Sequence, residues 1–234
     1  MPLFDVIAFD ADDTLWHNES VYSATKKKLI DLLSSYESEH DVEQELDKRE
    51  GKNLSVYGYG VKSFTLSMIE TAIDYTNGKI RVDEIQQIIG FGKEMLFTEV
   101  QLFENVKETV SKLAESYTLM IITKGDLLDQ EKKLSRSGID KHFECVEIIS
   151  EKDEEAYRKI LLKYHIQPER FIMVGNSLRS DILPVVKIGG IAVYIPAKIN
   201  WVLDAVKDEQ WPLDGHYEIE HIGQLPALIE NLNG

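Results

Sequence analysis

The chain carries one cysteine, Cys145, among 234 residues, so no internal disulfide can form. Cys145 opens a short apolar stretch ending at Ile149 and reads as a buried structural thiol. Positive charge is scarce. Twenty-six Lys and Arg against 41 Asp and Glu leave a net charge of -15, and no basic stripe offsets it, which argues against nucleic acid and anionic membranes as partners. An anionic small-molecule substrate stays open, because a cation and one or two lysines reverse a local field. Long hydrophobic runs are missing too. None approaches the roughly 18 apolar residues of a spanning helix, and Asp5 and Asp10 interrupt an N-terminal stretch that has no basic leader. No signal peptide is expected, and a cytoplasmic location is. There is no internal repeat and no low-complexity tract, and the sequence leaves monomer or homodimer open.

What is present is an ordinary globular composition, 43% apolar and 29% charged, long enough for one large α/β domain or a domain with a smaller insertion. The informative stretch is the first. Leu3 to Phe9 suits a central strand buried on both faces, yet it runs into Asp10, Asp12 and Asp13. Residues i and i+2 of an extended chain project to one side, so Asp10 and Asp12 are expected to share a small site while Asp13 points elsewhere. Two carboxylates that close repel unless one is protonated or a cation lies between them. The residue types therefore point to a hard cation such as Mg2+ at a strand end; the alternative is an acidic turn capping the next helix.

From Trp16 to about Phe97 no strand is evident. Leu29, Ile30, Leu32 and Leu33 form a helical stripe, Ser34 to Asn53 reads as an exposed, weakly periodic helix pair, and Tyr57-Gly58-Tyr59-Gly60 is a break. Helical spacing resumes from Val61 and ends near Asn77-Gly78, with a short helix over Val82 to Ile89. From Leu102 strands and helices alternate: strands over Tyr117–Ile122, Cys145–Ile149, Phe171–Val174 and Ile191–Ile195, with Tyr217–Ile219 as a further strand candidate, and helices over Leu127–Ser137, Asp153–Tyr164 and Leu225–Leu232. That alternation implies a parallel sheet whose ligand lies beyond the carboxyl ends of its strands. Asp10, Asp12, Thr123, Asn176 and Asp181 all fall there.

Asp10-x-Asp12-x-Thr14, Thr123 after a strand, Lys152 at a helix start, and Gly175-Asn176 with Asp181 form an ordered set. On these residues the chain resembles the haloacid dehalogenase superfamily, in its phosphatase branch, over residues 1–16 and about 98–200. The resemblance implies an α/β fold with a Rossmann-like parallel-sheet core, residues 1–16 and 98–234, and an inserted α-helical cap of the first subclass, residues 17–97. It implies a Mg2+-dependent phosphomonoester hydrolase acting on a small phosphorylated metabolite through an aspartyl-phosphate. Asp10 would be the nucleophile and Asp12 the acid/base. Thr123 and nearby backbone N–H groups would hold phosphoryl oxygens, with Gly125 allowing close approach, and Lys152 would stabilise developing charge. The metal would be held by Asp10, the backbone carbonyl of Asp12, Asp181 and Asn176.

Specificity would come from the cap. Trp16 and His17 at its entrance, Tyr57, Tyr59 and Lys62 around its glycine break, and Lys124 beside Thr123 are the candidate substrate contacts. Two positions depart from the family pattern: Asp13 stands where Gly is common, and Asn176 where an acid is common. A carbon–halogen hydrolase would not use an acid at position 12. A phosphosugar mutase fits the same first motif, and a catalytically weak binding or regulatory protein fits the two departures.

Overall fold

The computed structural model describes residues 4–36, 41–197 and 215–234. Six strands, β1 (Val6–Phe9), β2 (Thr118–Lys124), β3 (Cys145–Ile149), β4 (Phe171–Gly175), β5 (Ile191–Tyr194) and β6 (His216–Glu218), form one sheet in the order β3-β2-β1-β4-β5-β6. Every pairing is parallel. Successive side chains of a strand face opposite ways, and β1 uses both faces. Ile7 and Phe9 join one apolar cluster, and Val6 and Ala8 join the other. All four are buried, which is why the run reads as continuous rather than alternating hydrophobicity. Leu3, where the strand was expected to start, lies outside the described residues.

Among the described residues, helices α1 (Glu19–Leu33), α2 (Val42–Tyr57), α3 (Val61–Tyr75) and α4 (Val82–Phe97) lie between β1 and β2. Helices α5 (Val106–Leu113), α6 (Leu127–Ser137), α7 (Glu154–Lys163), α8 (Leu183–Lys187) and α9 (Leu225–Leu232) follow. On one side of the sheet Val106 and Val110 of α5 and Leu225 and Ile229 of α9 meet Ile7 and Phe9. On the other, Tyr157 and Ile160 of α7 and Val185 of α8 meet Val6 and Ala8. The chain divides into two compact units, one of residues 1–17, 100–124 and 132–234, the other of residues 18–99 and 125–131. The second unit has its own core, including Leu29, Leu33, Leu46, Phe64, Met68 and Ile88.

Three expectations need correction. The segment from Ser34 to Asn53 is not a pair of exposed helices: from Val42 it belongs to one helix through Tyr57 that buries Val42, Leu46, Glu50 and Asn53, while residues 37–40 lie outside the described residues. Its charge hides a narrow inner face. The helix expected over Val82 to Ile89 continues to Phe97. Cys145 is half-buried rather than buried, because β3 is an edge strand of the sheet.

Candidate active site

Register brings the site together. β1 ends at Phe9 beside Val174 of β4 and Ile121 of β2, and the Asp10 N–H donates to the Val174 carbonyl at 2.8 Å. Residues just beyond β1, β2 and β4 therefore share one end of the sheet. β1 and β4 are also where the strand order turns outward in both directions, the place where parallel sheets open a crevice.

At that end the Lys152 ammonium lies between two carboxylates, 2.5 Å from Asp10 Oδ1 and 2.7 Å from Asp181 Oδ1. All three residues are buried, Asp181 to 1% exposure. Two carboxylates on one ammonium leave a negative charge in a place that disfavours it. Burial accordingly pushes Asp10 up to about 7, against the pull of Lys152 and with the push of Asp181 and Asp12. Burial alone would lower Lys152, and Asp10 and Asp181 more than offset it, so the amine is held above its ordinary value.

Local structure holds each group in place. Asp181 sits in a π-turn, Leu178–Ile182, and its Oδ2 accepts from the Ser177 N–H at 3.0 Å. A Cβ on Gly175 would come within 2.2 Å of that carboxylate, so only glycine lets the strand end pass so close. Tyr157 of α7, fully buried, donates to the Ser180 carbonyl at 3.1 Å and braces the turn. Thr14 Oγ1 lies 3.2 Å from both Asp10 Oδ2 and Asn176 Oδ1. A hydroxyl has a single proton to donate. Turned the other way, the Asn176 amide would donate to Thr14 and leave that proton to Asp10.

Asp12 lies near enough to Asp10 to help raise its pKa, and its carboxylate is held by other donors. Its Oδ1 accepts from the Trp16 indole at 2.7 Å and from Lys133 of α6 at 3.0 Å, and Lys133 also reaches Oδ2 at 3.2 Å. Lys133 and Tyr157 were missed in the sequence, the first as one lysine in a charged helix and the second as an apolar-face aromatic. Asp13 adopts φ 59, a left-handed conformation that Gly takes freely and Asp tolerates.

The expected substrate contacts fare unevenly. Trp16 is 1% exposed and its polar edge is committed to Asp12. His17 is exposed and its ring packs at a tilt against Phe103, with ring centroids 3.9 Å apart. In the helical unit the Tyr57 hydroxyl donates to Glu70 at 2.9 Å, Lys62 bonds both oxygens of Asp126 at 2.9 Å, and Tyr59 is half-buried. Lys124 donates to Ser180 Oγ at 2.9 Å. Thr123 is buried, its hydroxyl 3.4 Å from the Lys124 carbonyl, a long and weak contact. Gly125 has φ 137, and a Cβ there would meet the Gln130 amide at 2.8 Å.

The sequence pattern that describes haloacid dehalogenase-like hydrolases matches residues 4–189. The chain belongs to that hydrolase family. A haloacid dehalogenase-like hydrolase from Xanthomonas campestris is 35% identical, with a TM-score of 0.86 over 100% of this chain and 97% of that one. Similar proteins from archaea carry the name glyceraldehyde 3-phosphate phosphatase. That of Pyrococcus furiosus is 24% identical over 98% of this chain and 94% of its own length. That of Methanothermobacter thermautotrophicus is 23% identical over 85% and 88%. Among the described residues of this hydrolase no helix is long and apolar enough to cross a membrane.

Proposed function

We propose that the protein is a divalent-metal-dependent phosphatase that hydrolyses a small phosphomonoester through an aspartyl-phosphate on Asp10. The observation that carries this reading is the buried triad in which Asp10 and Asp181 share Lys152. Such a cluster is costly to fold around and useful against an anion.

In the first step a carboxylate oxygen of Asp10 attacks phosphorus while the bond from phosphorus to the ester oxygen breaks. Asp12 gives its proton to that oxygen, so the alcohol leaves neutral. In the second, water attacks the aspartyl-phosphate and loses a proton to Asp12, releasing inorganic phosphate and restoring the Asp10 carboxylate. Lys152 supplies a fixed positive charge against the phosphoryl oxygens. The Thr123 hydroxyl donates to one of those oxygens.

The donor set fits a hard cation. Asp10 and Asp181 offer carboxylate oxygens, Asn176 an amide oxygen that, like Asp10, lies 3.2 Å from the Thr14 hydroxyl, and Asp12 a backbone carbonyl. Among the described residues no three His, Cys, Asp or Glu side chains form a metal cluster, so amide and carbonyl oxygens would complete the shell, as suits Mg2+. When bound, Mg2+ supplies charge neutralisation between nucleophile and phosphate. The names of the archaeal relatives point to a triose phosphate as the first substrate to try. A screen of metabolite phosphates with Mg2+ is the test. Turnover that disappears with a chelator and in Asp10→Asn is the expected result, and turnover that survives either treatment would refute the reading.

A further inference from the structure

Asp12 reaches the ester oxygen only if its carboxylate is aimed, and the structure shows what aims it. Lys133 comes from α6, 121 residues along the chain, and contacts both carboxylate oxygens at 3.0 and 3.2 Å. Trp16 comes from four residues on and contacts Oδ1 at 2.7 Å. Two donors from different elements fix the χ angles of a short side chain, and both are well shielded, Lys133 at 17% side-chain exposure and Trp16 at 1%. Trp16 is itself pinned by bridges to Asp12 and Leu102.

We infer that Lys133, with Trp16, is a positioning residue for the acid/base carboxylate of Asp12. The role rests on the phosphatase reading, since it acts through proton transfer to the leaving oxygen. An ion pair that merely tethered α6 to the loop after β1 would affect every substrate alike. A positioning pair affects most the substrates whose leaving group needs the proton. An alkoxide cannot leave well without protonation, whereas p-nitrophenolate can.

The experiment compares wild type, Lys133→Met and Lys133→Arg on an alkyl phosphate and on p-nitrophenyl phosphate, and records the Trp16 indole N–H resonance by NMR without substrate. Misplacement of a reacting group by about 1 Å costs on the order of 100-fold. Lys133→Met should therefore lower kcat on the alkyl phosphate by roughly 10- to 100-fold, with KM little changed and a much smaller loss on p-nitrophenyl phosphate. Lys133→Arg, whose fork can serve both oxygens, should restore most of it. The Trp16 resonance should move in Lys133→Met. Equal losses on the two esters, no loss, or an unmoved resonance would overturn the inference. If Lys133→Met fails to fold, Trp16→Phe removes the other donor and should show the same dependence on leaving group; a uniform loss there would count equally against it. A resonance that moves in a protein whose wild type cleaves neither ester would refute the phosphatase reading and leave the clamp supported.

Discussion

Charge is buried in both units, but its arrangement differs between them. In the helical unit Lys26 of α1 meets Asp47 of α2 at 2.5 Å, and Asn53 of α2 donates to Ser67 and Glu70 of α3. These groups tie neighbouring helices together. In the sheet unit Asp10 and Asp181 converge at close range on a single, almost fully buried ammonium, an arrangement whose desolvation cost is high. The helical unit therefore uses its buried charge for assembly. The sheet unit tolerates a charge conflict at the end of its strands, which makes sense if something outside the chain completes the balance.

The contrast is easiest to break at Lys152. Lys152→Met leaves two buried carboxylates uncompensated, and the expected loss is about 3–5 kcal/mol of stability by urea unfolding, together with turnover. Adding Asp10→Asn to that variant should recover much of the stability, because one of the stranded charges is gone. If the two changes simply add, the carboxylates are not in conflict.

A smaller effect is expected at Lys26. Burial acts to lower its pKa, and Asp47, with Glu50 and Glu19, outweighs it, so the folded value is raised. A raised value means that the stabilisation is full below the unfolded lysine value of roughly 10.4 and fades as pH rises through the higher folded value. Lys26→Met should cost about 1 kcal/mol, allowing for solvent screening of a pair whose Asp47 is 26% exposed. Its deficit against wild type should shrink between about pH 9 and about pH 12. A deficit that grows over that range would contradict the assignment.

Smallest is Asp13→Gly. Relief of the left-handed backbone, partly offset by greater freedom in the unfolded chain, should leave stability within about 1 kcal/mol of wild type, on the favourable side. The N–H bond from residue 13 to the Trp16 carbonyl, 2.8 Å in the present chain, should survive and turnover with it.

The strands and most helices were legible because a parallel sheet buried on both faces writes its strands as apolar runs and its loops as polar breaks. Asp10, Lys152 and Asp181 were legible as members of an ordered pattern. The contacts that organise them were not. Lys133 lies in Glu131-Lys132-Lys133, where nothing local separates an inward lysine from its neighbour. The bond from Thr14 to Asn176 spans 162 positions, a pairing that only the register of β1 on β4 creates. The donors that hold Asp12, Trp16 and Lys133, were equally hidden, one of them 121 positions away. Asp13 became intelligible once its φ was known.

The proposed nucleophile, Asp10, is tested most directly by trapping its phosphoryl adduct. Asp12→Ala keeps Asp10, Lys152 and Asp181 but lacks the base for water attack, and p-nitrophenyl phosphate needs no acid to release its phenolate. Mixed with that ester and Mg2+ and quenched in acid, the variant should carry one phosphoryl group on the peptide containing Asp10, resolved by mass spectrometry. Release of p-nitrophenolate and phosphate together, with the Asp10 peptide unmodified throughout, would contradict an aspartyl-phosphate on Asp10.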